Sequence, residues 1–344
     1  MTLENRQKES TSSLMPSQTH LKRPWLRYGV LAAALIACVV FSFWPPFTSS
    51  APSGPDEADQ TVPAAVKEPT APVPSKRVDS GGAHANAPSD GGYAGVPYAK
   101  LSRFLGRLSQ LPHYDEDRAA RYLNYYGSTR YTDEQIVRLV NTDNDLVLFT
   151  DAVPAYEDDG VLMLVNKYHE MADYEPDDLT DLPAGYASWG ALRKEACEAY
   201  IAMADAAEAA GCPIFCNSPY RSYKMQQGIY NDYVNRHSLE LADTYSARPG
   251  FSEHQTGLCV DITADDVEYT EFDQSDAFRW MQAHAHEYGY ILRYGEGMEY
   301  ITGYIYEPWH YRYVGVQAAA YIRSHDLTLE EYYYYFVAGG ETPA

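Results

Sequence analysis

The sequence predicts an α+β fold, with a mainly antiparallel central sheet flanked by helices. Helical patterns alternate with a few short apolar runs typical of strands, and the spacing lacks the regular order of βαβ units. At 344 residues, with 45% hydrophobic composition, the chain is long enough for at least one sizeable core. Its formal charge of −22 disfavours polyanionic partners, which excludes nucleic acid as a substrate.

A helical segment is predicted at 97–158, ahead of the larger domain. Apolar residues recur at spacings of three and four over 101–108, which forms one face of an amphipathic helix. A further helix is predicted over 134–140, with Thr132 as its N-cap and Gln135 three residues on, the pattern of a capping box. These helices predict a small subdomain that packs on the rest of the chain.

The larger domain is predicted at 159–344, where short strand patterns alternate with helical ones. Strands are predicted at 161–165, 213–217, 258–263, 290–293 and 309–313, and helices at 192–210, 224–236 and 277–287. The tyrosine-rich tail at 332–336 continues a helical pattern and is predicted to be packing surface rather than a site.

An uncharged apolar run lies near the N-terminus, between Tyr28 and Trp44, and predicts a transmembrane signal anchor at 28–47. A cleaved secretory signal and a lipoprotein anchor at Cys38 are the alternatives. Residues 1–27 hold five basic and two acidic residues, which favours a cytoplasmic leader before an exported body. All three alternatives place the body outside the cytoplasm, and an anchored body favours a Gram-positive type of envelope.

The segment 48–96 is rich in Pro, Ala, Ser and Gly and has almost no large apolar residues. Such a segment cannot bury enough surface to offset its chain entropy. It therefore predicts a disordered linker between the membrane and the folded body.

Four cysteines lie in the predicted exported part, at Cys197, Cys212, Cys216 and Cys259. None has the paired spacing of a structural zinc site. One or two disulfides and buried free thiols are both compatible with these positions, because connectivity cannot be read from spacing.

Two short segments carry candidate metal ligands. His254 lies in a Gly-containing turn, and Asp261 follows inside an apolar run, where a charge is unfavourable unless it is paired or bound to a cation. Glu307 lies three residues before His310, among aromatic residues. Two histidines and one carboxylate can form an open tetrahedral zinc site, and a second carboxylate can take a proton from water. Each of these residues alone also fits a structural role.

Three motifs follow one another in the chain: SPYRSY at 218–223, PGFSEHQTGLCVD at 249–261, and EPWHYRYVG at 307–315. Together they closely resemble the VanY-type D-alanyl-D-alanine carboxypeptidases, over about 160–325. That family belongs to a zinc peptidase group that includes the VanX dipeptidases, L,D-carboxypeptidases of the wall and hedgehog-like domains. The resemblance implies a fold of the hedgehog and DD-peptidase type for the larger domain.

The resemblance implies a role for each residue at a matching position. His254, Asp261 and His310 would hold one zinc ion per chain. Glu307 would be the general base that activates water and then protonates the leaving amine, and Arg221 would stabilise the oxyanion. The resemblance thus converts five isolated candidates into one predicted site.

Two further positions are implied with the substrate. Ser252 and Gln226 would lie near the terminal residue of the bound peptide. One departure from the family pattern is Pro219, which stands where Gly is usual before Tyr220 and Arg221. This departure can change the loop that carries Arg221 without removing its charge.

The implied activity is hydrolysis of the terminal D-alanine of peptidoglycan stem peptides by metal-activated water. L,D-carboxypeptidase action on tetrapeptide stems is the alternative within enzymes, because it uses the same metal site and differs in the shape of the pocket. A non-catalytic, zinc-containing wall-binding module is the alternative of another class. The presence of both Glu307 and Arg221 argues against that last alternative.

Overall fold

A computed structural model describes residues 93, 95–264 and 267–339 of the chain. The predicted leader, the predicted transmembrane anchor and nearly all of the predicted linker lie outside these residues. Within the described ranges, no helix combines the length and the apolar character that crossing a bilayer requires.

The N-terminal helices have their own small core. They are α1 (Tyr98–Leu108), α2 (Ala119–Leu123), which follows a 3-10 turn at Glu116–Arg118, and α3 (Asp133–Asn141). Phe104 and Leu108, on the predicted apolar face, are buried. The capping box is present: the Thr132 side chain accepts from the Gln135 backbone N–H, and the Gln135 side chain accepts from Thr132 N–H.

Two small two-stranded sheets lead into the first long helix. Strands β1 (Val153–Pro154) and β2 (His169–Glu170) are parallel, whereas β3 (Leu179–Asp181) and β4 (Ala191–Arg193) are antiparallel. Helix α4 (Lys194–Ala209) begins two residues later than predicted, because 191–193 pair with β3.

The central sheet has four strands: β5 (Phe215–Ser218), β6 (Cys259–Thr263), β7 (Tyr290–Leu292) and β8 (His310–Tyr313). Their order is β5-β6-β8-β7, and every neighbouring pair is antiparallel. This confirms the mixed fold with an antiparallel central sheet.

Helices and tight turns connect and cover these strands. The helices are α5 (Tyr223–Arg236), α6 (Leu239–Tyr245), α7 (Asp276–His284), α8 (Glu299–Thr302), α9 (Val316–His325) and α10 (Leu329–Tyr332). The turns are 3-10 at Glu253–Thr256, Tyr269–Gln274 and Ala285–Tyr288, and a π-helical turn at Tyr333–Val337. Tyr332 and Tyr333 are buried against Ile322, so the tail is packing surface as predicted.

Strand β6 separates the main apolar core from the predicted metal ligands. Side chains alternate along a strand, so Val260 and Ile262 share one face while Cys259 and Asp261 share the other. Val260 and Ile262 pack with Tyr200 of α4 in the largest apolar cluster. Both faces of β6 are thus occupied, and all of its residues except the last are buried.

The strand predicted at 161–165 is wrong. Glu157–Leu162 forms 3-10 turns, and the following residues run as a buried segment outside any strand. The backbone carbonyls of Val161 and Met163 accept hydrogen bonds from Arg312 Nη2, at 3.0 and 2.8 Å. An apolar run predicts burial, but here a guanidinium group, and not a neighbouring strand, satisfies its backbone.

Candidate metal centre and active site

The central sheet places two of the predicted ligands side by side. Asp261 and His310 are directly opposite each other in the antiparallel ladder of β6 and β8. His254 lies in the 3-10 turn that precedes β6. Gly257 ends that turn at φ +67°, where a Cβ would lie 3.2 Å from Arg193 N, so the tight entry into β6 requires glycine.

Asp261 lies between the two histidines. Its Oδ2 is 3.3 Å from His254 Nε2, and its Oδ1 is 3.2 Å from His310 Nδ1. The two imidazole rings are perpendicular, with centroids 5.0 Å apart. The structure therefore brings the three predicted ligands together, each with a nitrogen or oxygen directed at the others.

The loop after β5 orients His254. His254 Nδ1 donates to the carbonyl of Pro219 at 2.8 Å, which leaves Nε2 as the nitrogen that faces Asp261. A register shift in β5 lies directly opposite Asp261, a place where bulges commonly redirect a strand next to a site. Pro219, the departure from the family pattern, packs against Gly190, where an added Cβ would clash with the proline ring.

Arg221 reaches the same centre despite that departure. Its backbone N–H donates to His254 O at 3.1 Å, and its Nη2 lies 4.0 Å from Asp261 Oδ2. Arg221 Nε is buried and makes no hydrogen bond within the described residues. A guanidinium group with a buried donor that makes no hydrogen bond, next to a candidate cation site, is suited to stabilise developing negative charge.

The electrostatics of the centre favour a cation. Burial disfavours ionisation of Asp261, but His254 and His310 outweigh it and hold the pKa of this carboxyl well below its usual range. Burial and Arg221 lower the pKa of His254, and the attraction of Asp261 nevertheless raises it overall. The centre therefore attracts positive charge, which a metal ion can supply in place of protons.

Glu307 lies next to the predicted ligands but outside the paired strands β6 and β8. Its Oε2 is 3.7 Å from His310 Nδ1. Burial, together with repulsion from Asp261, raises the pKa of Glu307 to about 7, although His310 acts in the opposite direction. A carboxylate with a pKa near neutrality is matched to proton transfer at physiological pH.

Buried polar atoms without hydrogen bonds cluster at this site. His254 Nε2 and Asp261 Oδ1 are buried and make no hydrogen bond to any described residue. Buried polar atoms in native proteins are almost always satisfied, so these two point to a missing partner. An imidazole nitrogen and a carboxylate oxygen are donors that zinc prefers, and the residues present fit that metal.

Cys259 is the residue that sequence reasoning missed. Its thiol and ring nitrogens of His254 and His310 lie within 4.8 Å of one another. Burial raises the pKa of Cys259, but the two histidines outweigh this effect and lower it to about 7. The two-residue spacing from Asp261 on a strand was the available signal, because it places both side chains on one face. All four described cysteines are unpaired.

The two predicted substrate residues are both buried near the loop that carries His254. Ser252 precedes the 3-10 turn, and its carbonyl accepts from Gln255 N at 3.0 Å. Gln226, in the first turn of α5, donates to Ala247 O at 2.8 Å while its Oε1 has no partner among the described residues. Gln226 thus presents a buried polar atom that makes no hydrogen bond within the described residues.

Comparisons with known proteins show which proteins this chain resembles. The family model for D-alanyl-D-alanine carboxypeptidases, VanY, matches residues 190–316. A putative carboxypeptidase, YodJ, of Bacillus subtilis (strain 168) is 41% identical over 188 residues, which span 51% of this chain and 67% of YodJ. A D-alanyl-D-alanine carboxypeptidase of Enterococcus faecalis (strain ATCC 700802 / V583) is 40% identical over 137 residues, or 37% of this chain and half of that protein.

A solved structure shares the fold. The LdcB LD-carboxypeptidase superposes with a TM-score of 0.50 at 39% sequence identity, covering 53% of this chain and 89% of that one. The matched residues of the family model include all three proposed ligands, Glu307 and Arg221. On this evidence the protein is a carboxypeptidase and belongs to the VanY family of D-alanyl-D-alanine carboxypeptidases.

Proposed function

We propose that the protein is a zinc-dependent carboxypeptidase that removes the terminal D-alanine from peptidoglycan stem peptides. One observation carries the proposal: His254, Asp261 and His310 converge with unpaired buried atoms, and the buried carboxylate of Glu307 lies 3.7 Å from the His310 ring. The name of the Enterococcus faecalis relative supports the choice of D-alanyl-D-alanine as the substrate.

The proposed ligands are His254 Nε2, Asp261 and His310 Nδ1, one zinc ion per chain. Zinc bound there supplies Lewis-acid chemistry, which lowers the pKa of water and polarises a carbonyl group. Cys259 as a fourth protein ligand would close the coordination sphere, as in structural zinc sites, whereas a catalytic site keeps one position open. We therefore assign Cys259 as a neighbour of the ligands and not as a ligand.

In the proposed reaction one residue transfers protons and another stabilises negative charge. Glu307 takes a proton from the attacking water and delivers it to the nitrogen of the departing D-alanine, a role that suits a carboxylate with a pKa of about 7. Arg221 stabilises the oxyanion that forms when the scissile carbonyl becomes tetrahedral. Ser252 and Gln226 position the terminal residue of the peptide.

A second candidate function is L,D-carboxypeptidase action on tetrapeptide stems. The LdcB protein, 39% identical in the superposed region, is described as an LD-carboxypeptidase, which supports this candidate. Incubation of the protein with purified penta- and tetrapeptide stems separates the two. We expect D-alanine release from the pentapeptide; release from the tetrapeptide alone would establish the second candidate instead.

A zinc chelator tests the metal in the same assay. We expect release to stop after chelation and to return with added zinc. Turnover that continues after complete zinc removal would exclude the proposed mechanism. If untreated protein cleaves neither stem but still binds peptidoglycan, the protein is a wall-binding module.

We also propose that residues 28–47 anchor the enzyme in the cytoplasmic membrane, with the catalytic body in the wall and 48–96 as a tether. The uncharged apolar stretch and the basic leader support this placement. Fractionation of cells that produce the full chain and a chain starting at residue 48 tests it. Equal amounts of both proteins in the membrane fraction would contradict the anchor.

A further inference from the structure

A second cluster of charge lies on the far side of His310. Glu253 has a fully buried side chain, and its Oε1 accepts from Arg293 Nε and from Arg312 Nη1, both at 2.8 Å. Its other oxygen, Oε2, lies 3.3 Å from His310 Nε2. Glu253 therefore joins two arginines to one of the proposed metal ligands.

The two nitrogens of His310 face different groups. Nδ1 faces Asp261 and Glu307 in the metal centre, whereas Nε2 faces Glu253. A carboxylate held between two guanidinium groups is ionised and can only accept hydrogen bonds. His310 must then carry its proton on Nε2, which leaves the lone pair of Nδ1 directed at the metal centre.

The cluster extends to the C-terminal part of the chain. Arg293 also donates through Nη1 and Nη2 to both oxygens of Glu330, at 2.8 and 2.6 Å, the bidentate geometry that fixes a guanidinium plane. Glu330 lies in α10 and also accepts from Asn166 Nδ2 at 3.2 Å. A continuous path of contacts thus runs from α10 through Arg293 and Glu253 to His310.

We propose that Glu253 is a positioning residue that selects Nδ1 of His310 as the metal-binding nitrogen, and that Glu330 supports it through Arg293. The inference rests on the proposed zinc centre. It makes α10, far along the chain from every ligand, part of the support of that centre.

The chain offers a matched control in the next residue. Glu331 is also buried and also pairs with an arginine, Arg138 of α3, at 2.5 and 2.8 Å. None of its contacts reaches Glu253 or His310. Glu330→Gln and Glu331→Gln therefore remove the same charge from the same helix, and the Gln at 331 still suits a capping box.

The first test measures zinc affinity of the full chain by competition with a chelating zinc indicator. We expect Glu330→Gln to raise the zinc dissociation constant about tenfold and Glu253→Gln up to about 100-fold, the range found for groups that orient a ligand. Glu331→Gln should change it less than about twofold, even though both helix variants lower the melting temperature. Equal effects of Glu330→Gln and Glu331→Gln would overturn the inference, and this pair decides the matter if Glu253→Gln fails to fold.

The second test reads the tautomer. In zinc-loaded protein with labelled histidine, we expect the His310 signals, assigned by through-bond correlation to the His310 backbone, to show a proton on Nε2 and the metal on Nδ1. A proton on Nδ1 would overturn the inference.

The outcomes also separate this inference from the proposed function. A protein that shows the expected tautomer and affinities but releases no D-alanine refutes the function alone. A wild type that binds no zinc refutes both.

Discussion

Two buried clusters of charge meet at His310, and they differ in how completely their polar atoms are paired. In the closed cluster, formed by Glu253, Arg293, Arg312 and Glu330, every guanidinium nitrogen donates and every carboxylate oxygen has a partner. In the open cluster, formed by Arg221, His254, Asp261, Glu307 and His310, three buried atoms make no hydrogen bond to a described residue: Arg221 Nε, His254 Nε2 and Asp261 Oδ1.

This difference indicates that the closed cluster stabilises the fold and that the open cluster performs the chemistry. A fully paired buried network rigidifies its surroundings, whereas unpaired buried atoms persist where a ligand or substrate completes them. Changes in the open cluster should therefore remove activity at little cost in folding. Changes in the closed cluster should mainly lower stability, and they should affect the metal centre only through the contact between Glu253 and His310.

The largest expected effect is at Glu307. Replacing Glu307 by Gln removes the general base and should lower kcat about 10²–10⁴-fold, measured as D-alanine release from pentapeptide. Zinc content and melting temperature should stay near the wild-type values, because Glu307 is not a proposed ligand. Glu296→Gln, an exposed change in the preceding loop, serves as the control. Equal activity of the two variants would remove Glu307 from the mechanism.

The closed cluster should respond in stability instead. Arg312→Met removes one of the two arginine donors to Glu253 and the donor to three backbone carbonyls. The free energy of unfolding should therefore fall by about 3–5 kcal/mol, measured by denaturant titration. Arg279→Met breaks an exposed pair with Asp276 and should change it by about 1 kcal/mol or less. If the two variants lose the same stability, the closed cluster does not have the structural role assigned to it.

Arg221 tests whether the open cluster acts on the transition state. Arg221→Ala should lower kcat about 10²–10³-fold with a smaller change in KM, since an oxyanion forms only as the carbonyl is attacked. Lysine at this position keeps the charge and should recover part of the loss. A change confined to KM would instead assign Arg221 to substrate binding.

The smallest expected effect, at Cys259, distinguishes a neighbour from a ligand on β6. Asp261→Asn removes a proposed ligand and should raise the zinc dissociation constant by more than the about 10–100-fold typical of groups that only orient a ligand, whereas the change caused by Cys259→Ala should stay below that range. Equilibrium dialysis against zinc buffers measures both. A larger effect at Cys259 than at Asp261 would make the thiol the third ligand.

Much of the fold and the open cluster could be predicted from the sequence. The strands that hold Asp261 and His310 follow from apolar runs, and the motifs around them resemble a known family, so the residues that meet at the centre could be named in advance. Their roles as ligands, base and oxyanion donor still depend on the experiments above.

The closed cluster could not be predicted, because its partners come from four separated segments and no local pattern pairs Arg293 with Glu330. The error at 161–165 has the same origin. The apolar residues predict burial, but the side chain that donates hydrogen bonds to their carbonyls belongs to Arg312, far along the chain. Cys259 was overlooked because its residue type suggested disulfides, while its neighbours decided its environment.

The register of β6 and β8 has a consequence for folding. Asp261 and His310 face each other across the ladder, and a slip of one residue would turn one of them to the opposite face of the sheet. With the proposed ligands, zinc can bind only a correctly aligned pair of strands, and its binding then favours that alignment by mass action. Metal binding would thus select the correctly aligned strands, because a chain with misaligned strands would acquire neither zinc nor activity.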